Sequence, residues 1–296
     1  MTTASSSSST LGPAPWRQSF LEHLSAMSAT EFTLGTVRKI ASENGGTVYY
    51  SPRARTCAFR GLFAELKANP NNTADLNPDL YESEMLTFTT DRRMDKVPEL
   101  FGLETTGGKK HDAGDREEER LKGSGGGADV EAVFWVREKG TQWRFRGKVY
   151  VLAPDVETSD EGRRVIATLT ERMRRKERAG SDGEEWSFSR EITAHFGNTS
   201  PVMRGSFRNP PPGVPVKLPV DDDRLRLGQQ VTDLNDELAR SNFRLVVIVP
   251  DELDVVDLTD QARAQRWLYT FVGDKSEPTA PGGIIEDGWE KVEVWP

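Results

Sequence analysis

Apolar positions recur every three or four residues in 16–27, where Phe20, Leu21, Leu24 and Met27 share one face, predicting an amphipathic helix. From 32 to 91 the period changes to short β-rich runs, at 32–37, 54–66 and 86–90. Residues 69–78, rich in Asn, Pro and Asp, read as a loop by turn chemistry. A short helix is expected at 96–100. Two strong strands at 130–137 and 142–152, separated by 138–141, form a predicted hairpin. Residues 158–178 carry the clearest helical stripe, Val165, Ile166, Leu169 and Met173, with Thr158 and Glu161 spaced as a capping box.

A second short helix is predicted at 189–196, and Leu225, Val231, Leu234 and Leu238 allow another. Between them, the Pro-rich stretch 209–219 is irregular or polyproline-like. The end of the chain returns to β, at 244–249, 253–258, 266–271 and 289–295. Strands arranged in hairpins, with only a few dispersed helices, do not build a doubly wound parallel sheet. The predicted fold is mainly β with peripheral α: an antiparallel, closed or nearly closed barrel.

Composition narrows the partners. The 296 residues allow one large domain or two ordinary ones, with 35% apolar residues. A net charge of −8, from 39 basic and 47 acidic residues, argues against nucleic-acid binding and against an anionic membrane surface. No run approaches the length of a membrane span, and the Ser-rich start has neither signal-peptide nor transit-peptide character. The single cysteine, Cys57, excludes an internal disulfide and fits a reducing compartment, so a cytoplasmic protein is expected. As a small residue within a β-run, Cys57 reads as buried packing. His23, His111 and His195 lack zinc-ligand spacing. Residues 1–14 are expected to be a disordered tail, followed by one domain over 15–296 with mobile insertions at about 105–128 and 273–287.

Dinucleotide, Walker and nucleophile-elbow motifs are absent. What remains is a set of basic residues at the ends of β-runs. Arg55 and Arg60 bracket 56–59, Thr89 and Thr90 end the next run, and Lys96 follows at a turn into a helix. An Arg fork, a Thr hydroxyl and a Lys can together hold a phosphate monoester. Residues five apart in an unbroken strand face opposite ways, so Arg55 and Arg60 cannot serve one phosphate. Either two anions are bound or these groups make cross-strand ion pairs.

The ordered segments P-R-A-R-T-C-A-F-R-G (52–61), L-T-F-T-T-D-R-R-M-D-K (86–96) and Q-W-R-F-R-G-K-V (142–149) carry a resemblance. They are similar to the pyridoxamine 5′-phosphate oxidase-like FMN-binding split barrels, in particular the Alr4036-type FMN-binding domain branch. The segments P-W-R-Q-S-F (15–20), F-R-L-V-V-I (243–248) and G-W-E-K-V-E-V-W-P (288–296) extend it. The resemblance implies an FMN-binding split β-barrel, a homodimer, and a small-molecule substrate or electron donor. It implies that Arg55 contacts the FMN phosphate and that Thr56, Cys57 and Ala58 line the flavin. It places Arg60 at a substrate phosphate, Thr89 and Thr90 at the flavin, Lys96 in the phosphate pair, and Gln142 and Arg266 at the ring. Arg190 is the implied second substrate arginine.

Departures from the pattern are equally specific. Asp95 stands where the first basic member of the phosphate pair is expected, although Arg92 and Arg93 are nearby. Ala262 and Ala264 replace an Arg-x-His substrate motif, and no tryptophan stands near 257–258. Vitamin B6 oxidation is therefore not expected of this chain. The implied activity is a flavin-dependent oxidoreductase of unknown substrate. Its alternatives are a non-catalytic carrier of flavin, haem or deazaflavin, and a barrel retained as an interaction scaffold.

Overall fold

A computed structural model describes residues 11–42, 47–106, 119–176, 185–220, 222–260 and 262–296. Six strands close the central ring. They are β1 (Glu31–Ala41), β2 (Val48–Ala58), the short β4 (Leu86–Asp91), β6 (Gly125–Val136), β7 (Thr141–Leu152) and β9 (Phe243–Asp257). The path β9-β7-β6-β1-β2 is antiparallel throughout, and β4 pairs with the far edge of β9. The ring closes just beyond β2. Arg60 N donates to Thr87 O at 2.8 Å, Thr87 N donates to Gly61 O at 3.0 Å, and Leu62 bridges Leu86. Gly61 makes the corner with a φ of +106°, a region that a side chain would strain.

Short β3 (Tyr81–Ser83) pairs with β8 (Met173–Arg175), and β5 (Glu104–Thr106) runs parallel to the end of β1. Strands β10 (Gln265–Phe271), β11 (Ile284–Glu286) and β12 (Trp289–Val294) extend the sheet beyond β9. The expected antiparallel barrel with peripheral helices is the fold observed.

Alternation explains the two cores. Along β9, Val246 and Ile248 point into the barrel, where Phe32, Leu34, Phe134 and Phe145 are also buried. Phe243, Leu245, Val247 and Val249 point outward, under helices Asp160–Thr170 and Phe188–Gly197. Helix α1 (Arg17–Ser25) plugs one end of the barrel. Its Phe20 is fully buried against the rings of Trp16, Phe59, Phe134, Trp143 and Phe145. Helix α2 (Lys96–Leu100) covers the inner face near the other end of β1, burying Val97 and Leu100.

Several boundaries differ from the sequence pattern. The two runs at 244–249 and 253–258 are one strand. Pro250 sits at a register shift opposite Gly147, where a Cβ would lie 1.9 Å from Val249 O, so the missing amide and missing side chain coincide in a bulge. Gly125–Ala128 belong to β6 rather than to an insertion; of the segment expected to be mobile, residues 107–118 lie outside those described. In the loop at 273–287, β11 pairs with β12. Of the expected disordered tail, residues 1–10 lie outside the described part, whereas Gly12 N donates to Asp287 Oδ1 at 2.8 Å. The helix allowed by Leu225 to Leu238 is turn and loop, interrupted by Gly228 at φ +78°. Helix begins only at Glu237, capped by Asp236.

The long predicted helix spans only Asp160–Thr170, and Met173 lies in β8. Its N-cap is Ser159, whose Oγ accepts from Gly162 N at 2.9 Å, rather than Thr158. Ser159→Ala is therefore expected to cost about 1 kcal/mol in chemical denaturation, while Thr158→Ala stays within about 0.5 kcal/mol of the parent. Equal midpoints for the two variants would contradict this capping assignment.

Candidate functional site

On β1 the inward face reads Phe32, Leu34, Thr36, Arg38, turning from apolar to polar toward the α2 end. Register pairs Leu34 with Arg55, so Arg55 and Cys57 share that face of β2. At the junction with α2, Glu99 is buried, with 1% side-chain exposure. Its carboxylate accepts from Arg38 Nε at 2.9 Å and Arg55 Nη2 at 2.5 Å, and from the Thr36 hydroxyl. Arg55 also donates to Thr36 Oγ1. Two guanidiniums thus lean on one carboxylate, while Asp95 reaches Arg38 from the rim at 3.7 Å.

The third cation is Lys96. Its ammonium donates to Thr90 Oγ1 at 3.0 Å, and among the described residues no carboxylate lies within ion-pair distance. Burial lowers the Lys96 pKa from its ordinary 10.5, and the nearby charge of Arg55 acts in the same direction, against Cys57, Asp91 and Glu99. Burial raises the pKa of Cys57, a free buried thiol, with Lys96 and Arg55 opposing. Arg55, Cys57, Thr90 and Lys96 are thereby brought to one place.

The other sequence-derived candidates divide differently. Thr56 and Ala58 point outward from β2 and are exposed. On the same outer face, Gln142 and Arg266 both pair with Val256 from opposite sides, about 10 Å apart across β9. Arg266 already makes a bidentate pair with Asp254, at 2.9 and 2.8 Å. This pair continues a charge ladder through Arg144 to Glu131. Thr89, half-buried, faces away from Thr90. Arg190 lies on the helix Phe188–Gly197, donating to Glu185 O at 3.1 Å. Arg60 lies two residues beyond the end of β2, at most about 16 Å along the chain from Arg55. Arg93 is held by Asp91 at 2.6 Å, and Arg92 donates to Asn242 Oδ1 at 3.1 Å, so both are engaged away from Lys96.

Sequence reasoning missed Thr36, Arg38, Glu99 and Arg244. Thr36 and Arg38 carried a signal: they continue the inward parity of an apolar strand with polar side chains. Arg244, the cross-strand partner of Thr90, is 1% exposed, and burial lowers its pKa to about 10. It donates to Ser241 O at 2.9 Å and Phe243 O at 2.7 Å. Chemically, the cluster offers charged donors to an oxyanion. Among the described residues no group of His, Cys, Asp and Glu is arranged to hold a metal, and no helix is long and apolar enough to cross a membrane.

A family model and one solved structure agree with this architecture. Residues 13–153 match the family model described as pyridoxamine 5′-phosphate oxidase, FMN-binding domain. A solved pyridoxamine 5′-phosphate oxidase-related, FMN binding protein from Nostoc punctiforme is 18% identical, with a TM-score of 0.51 over 97% of this chain and 100% of that one. PhzG from Burkholderia lata, solved with tetrahydrophenazine-1-carboxylic acid, is 13% identical, with a TM-score of 0.40 over 95% and 90% of the two chains. No curated protein matches the sequence.

Proposed function

We propose, from a chain whose residues 13–153 match the family model described as pyridoxamine 5′-phosphate oxidase, FMN-binding domain, that this protein binds FMN through the Arg55–Lys96 cluster. The observation that carries the proposal is the Lys96 ammonium, buried beside Arg55 with a single hydroxyl as its recorded hydrogen-bond partner. Arg38 and Arg55 share the buried Glu99 carboxylate while Lys96 has no carboxylate at ion-pair distance among the described residues, and this positive excess suits a phosphate dianion. The residues present therefore fit the phosphate end of the cofactor. Bound flavin would supply hydride and electron transfer. The chain's own groups orient and neutralise it: Arg55 and Lys96 at the phosphate, Thr90 holding Lys96 in place, and Arg38 with Glu99 fixing Arg55.

Thr56 and Ala58 offer a small-residue surface, and Gln142 and Arg266 share its face of the sheet. In this reading that face meets the ring, and Arg60 is left to a second anion. A homodimer follows from the same family reading, with an isologous interface. Oxidoreductase activity on a small-molecule donor belongs to the proposal as well. The plain Ala262 and Ala264 argue against vitamin B6 as the substrate.

The test is titration of apoprotein with FMN and with riboflavin, which lacks the phosphate. FMN is expected to bind at least about a hundredfold tighter, from two charge-assisted contacts. Equal affinities would overturn the phosphate assignment. Because burial lowers the Lys96 pKa, its charge is lost as pH rises toward 10.5, so FMN affinity falls across that alkaline window. Lys96→Arg, whose charge persists, is expected to flatten the fall.

A further inference from the structure

Where the chain leaves β2, a cleft of about 380 Å³ opens between α1 and the strand end. Leu21, Leu24, Phe59 and Leu62 give it an apolar wall. Arg60 reaches it with a half-buried guanidinium that finds no hydrogen-bond acceptor among the described residues, and its Nε is wholly out of solvent. The Arg60 amide donates to Thr87 O at 2.8 Å, which fixes the backbone from which the side chain extends. Shielding the Arg60 Nε from water without a partner is costly. The Lys67 ammonium, exposed at the rim, also has no partner among the described residues. The one acid in the cleft, Glu65, is already engaged: Oε2 accepts from Arg17 at 2.6 Å and Oε1 from Ser83 N at 3.1 Å.

An apolar wall ending in uncompensated cations has a definite complement. We infer that this cleft binds an organic carboxylate with a flat, apolar body, its carboxylate on Arg60 and Lys67 and its body against Leu21 and Phe59. The inference deepens the proposed function at its second anion and rests on Arg60 facing a ligand, without requiring flavin. It assigns a substrate or effector class, an apolar carboxylate, whose body suits Leu21, Leu24 and Leu62.

The test uses 2-naphthoate and its neutral analogue 2-naphthamide, titrated calorimetrically into the full chain. Naphthoate is expected to bind at least about tenfold tighter than naphthamide, the worth of one charge-assisted contact. Arg60→Gln should erase that preference, and Leu21→Gln should weaken both probes alike. Lys67→Gln alters an exposed side chain that holds nothing else, so it reports even where Arg60→Gln folds poorly; it should reduce the preference about threefold. Absent naphthoate binding, equal binding of the two probes, or an unchanged preference in both Arg60→Gln and Lys67→Gln would overturn the inference. Flavin titration of the same preparations separates the two readings. Naphthoate discrimination without FMN binding leaves the cleft standing and removes the flavin; the reverse result removes only the cleft.

Discussion

Glu99→Gln is expected to destabilise the protein by about 3 kcal/mol and, at the same time, to tighten FMN binding at least about fivefold. The two effects have one origin. Glu99 is the single buried carboxylate between Arg38 and Arg55, and glutamine keeps its shape and one acceptor while removing its charge. Without that charge, two partly buried guanidiniums repel across the barrel end, and stability falls. The same loss raises the positive potential facing a phosphate. Chemical denaturation in the absence and presence of FMN measures both, because a ligand that binds only the folded state adds stability that grows with the logarithm of its concentration over Kd. FMN should therefore recover more stability in Glu99→Gln than in the parent. A variant as stable as the parent, or one that loses FMN affinity, would show that Glu99 is not the counter-charge described.

How much of this could be read from the chain alone depends on how local the signal is. The β6–β7 hairpin and the helix Lys96–Leu100 were legible, because alternation and a short apolar pair with a preceding turn are encoded within a dozen residues. The unity of β9 was not: Pro250 breaks the local pattern, and only the partner residue Gly147, a hundred positions earlier, makes the bulge that accommodates it. The site divides the same way. Arg55, Thr90 and Lys96 were found by their order along the chain, and the fold brings them together. Glu99 was missed because nothing in K-V-P-E-L shows which way a five-residue helix faces; its partner Thr36 lies 63 positions away. Spacing was informative for Arg60. Strand parity separated it from Arg55, and the structure places it in a cleft beside α1.

Replacing Arg55 and Lys96 together with alanine is expected to lower FMN affinity by about 10²- to 10⁴-fold, from about 1.5–3 kcal/mol per charge-assisted phosphate contact. Riboflavin decides what that loss means. If the two side chains act on the phosphate, riboflavin affinity stays at the parental value and the variant binds FMN no better than riboflavin. Collapse of the barrel end would weaken both ligands alike. The two single variants should not be equivalent. Arg55→Ala leaves Glu99 with Arg38 as its remaining ion-pair partner, so part of its effect will appear as lost stability. Lys96→Ala releases only the hydroxyl of Thr90 and relieves a desolvated charge, so the unliganded protein should keep its stability or gain slightly. Because both groups act on one anion, their effects are coupled, and the double variant should lose less than the sum of the singles. Strict additivity would place Arg55 and Lys96 on separate groups of the ligand, and FMN affinity unchanged in the double variant would remove the cluster from flavin binding altogether.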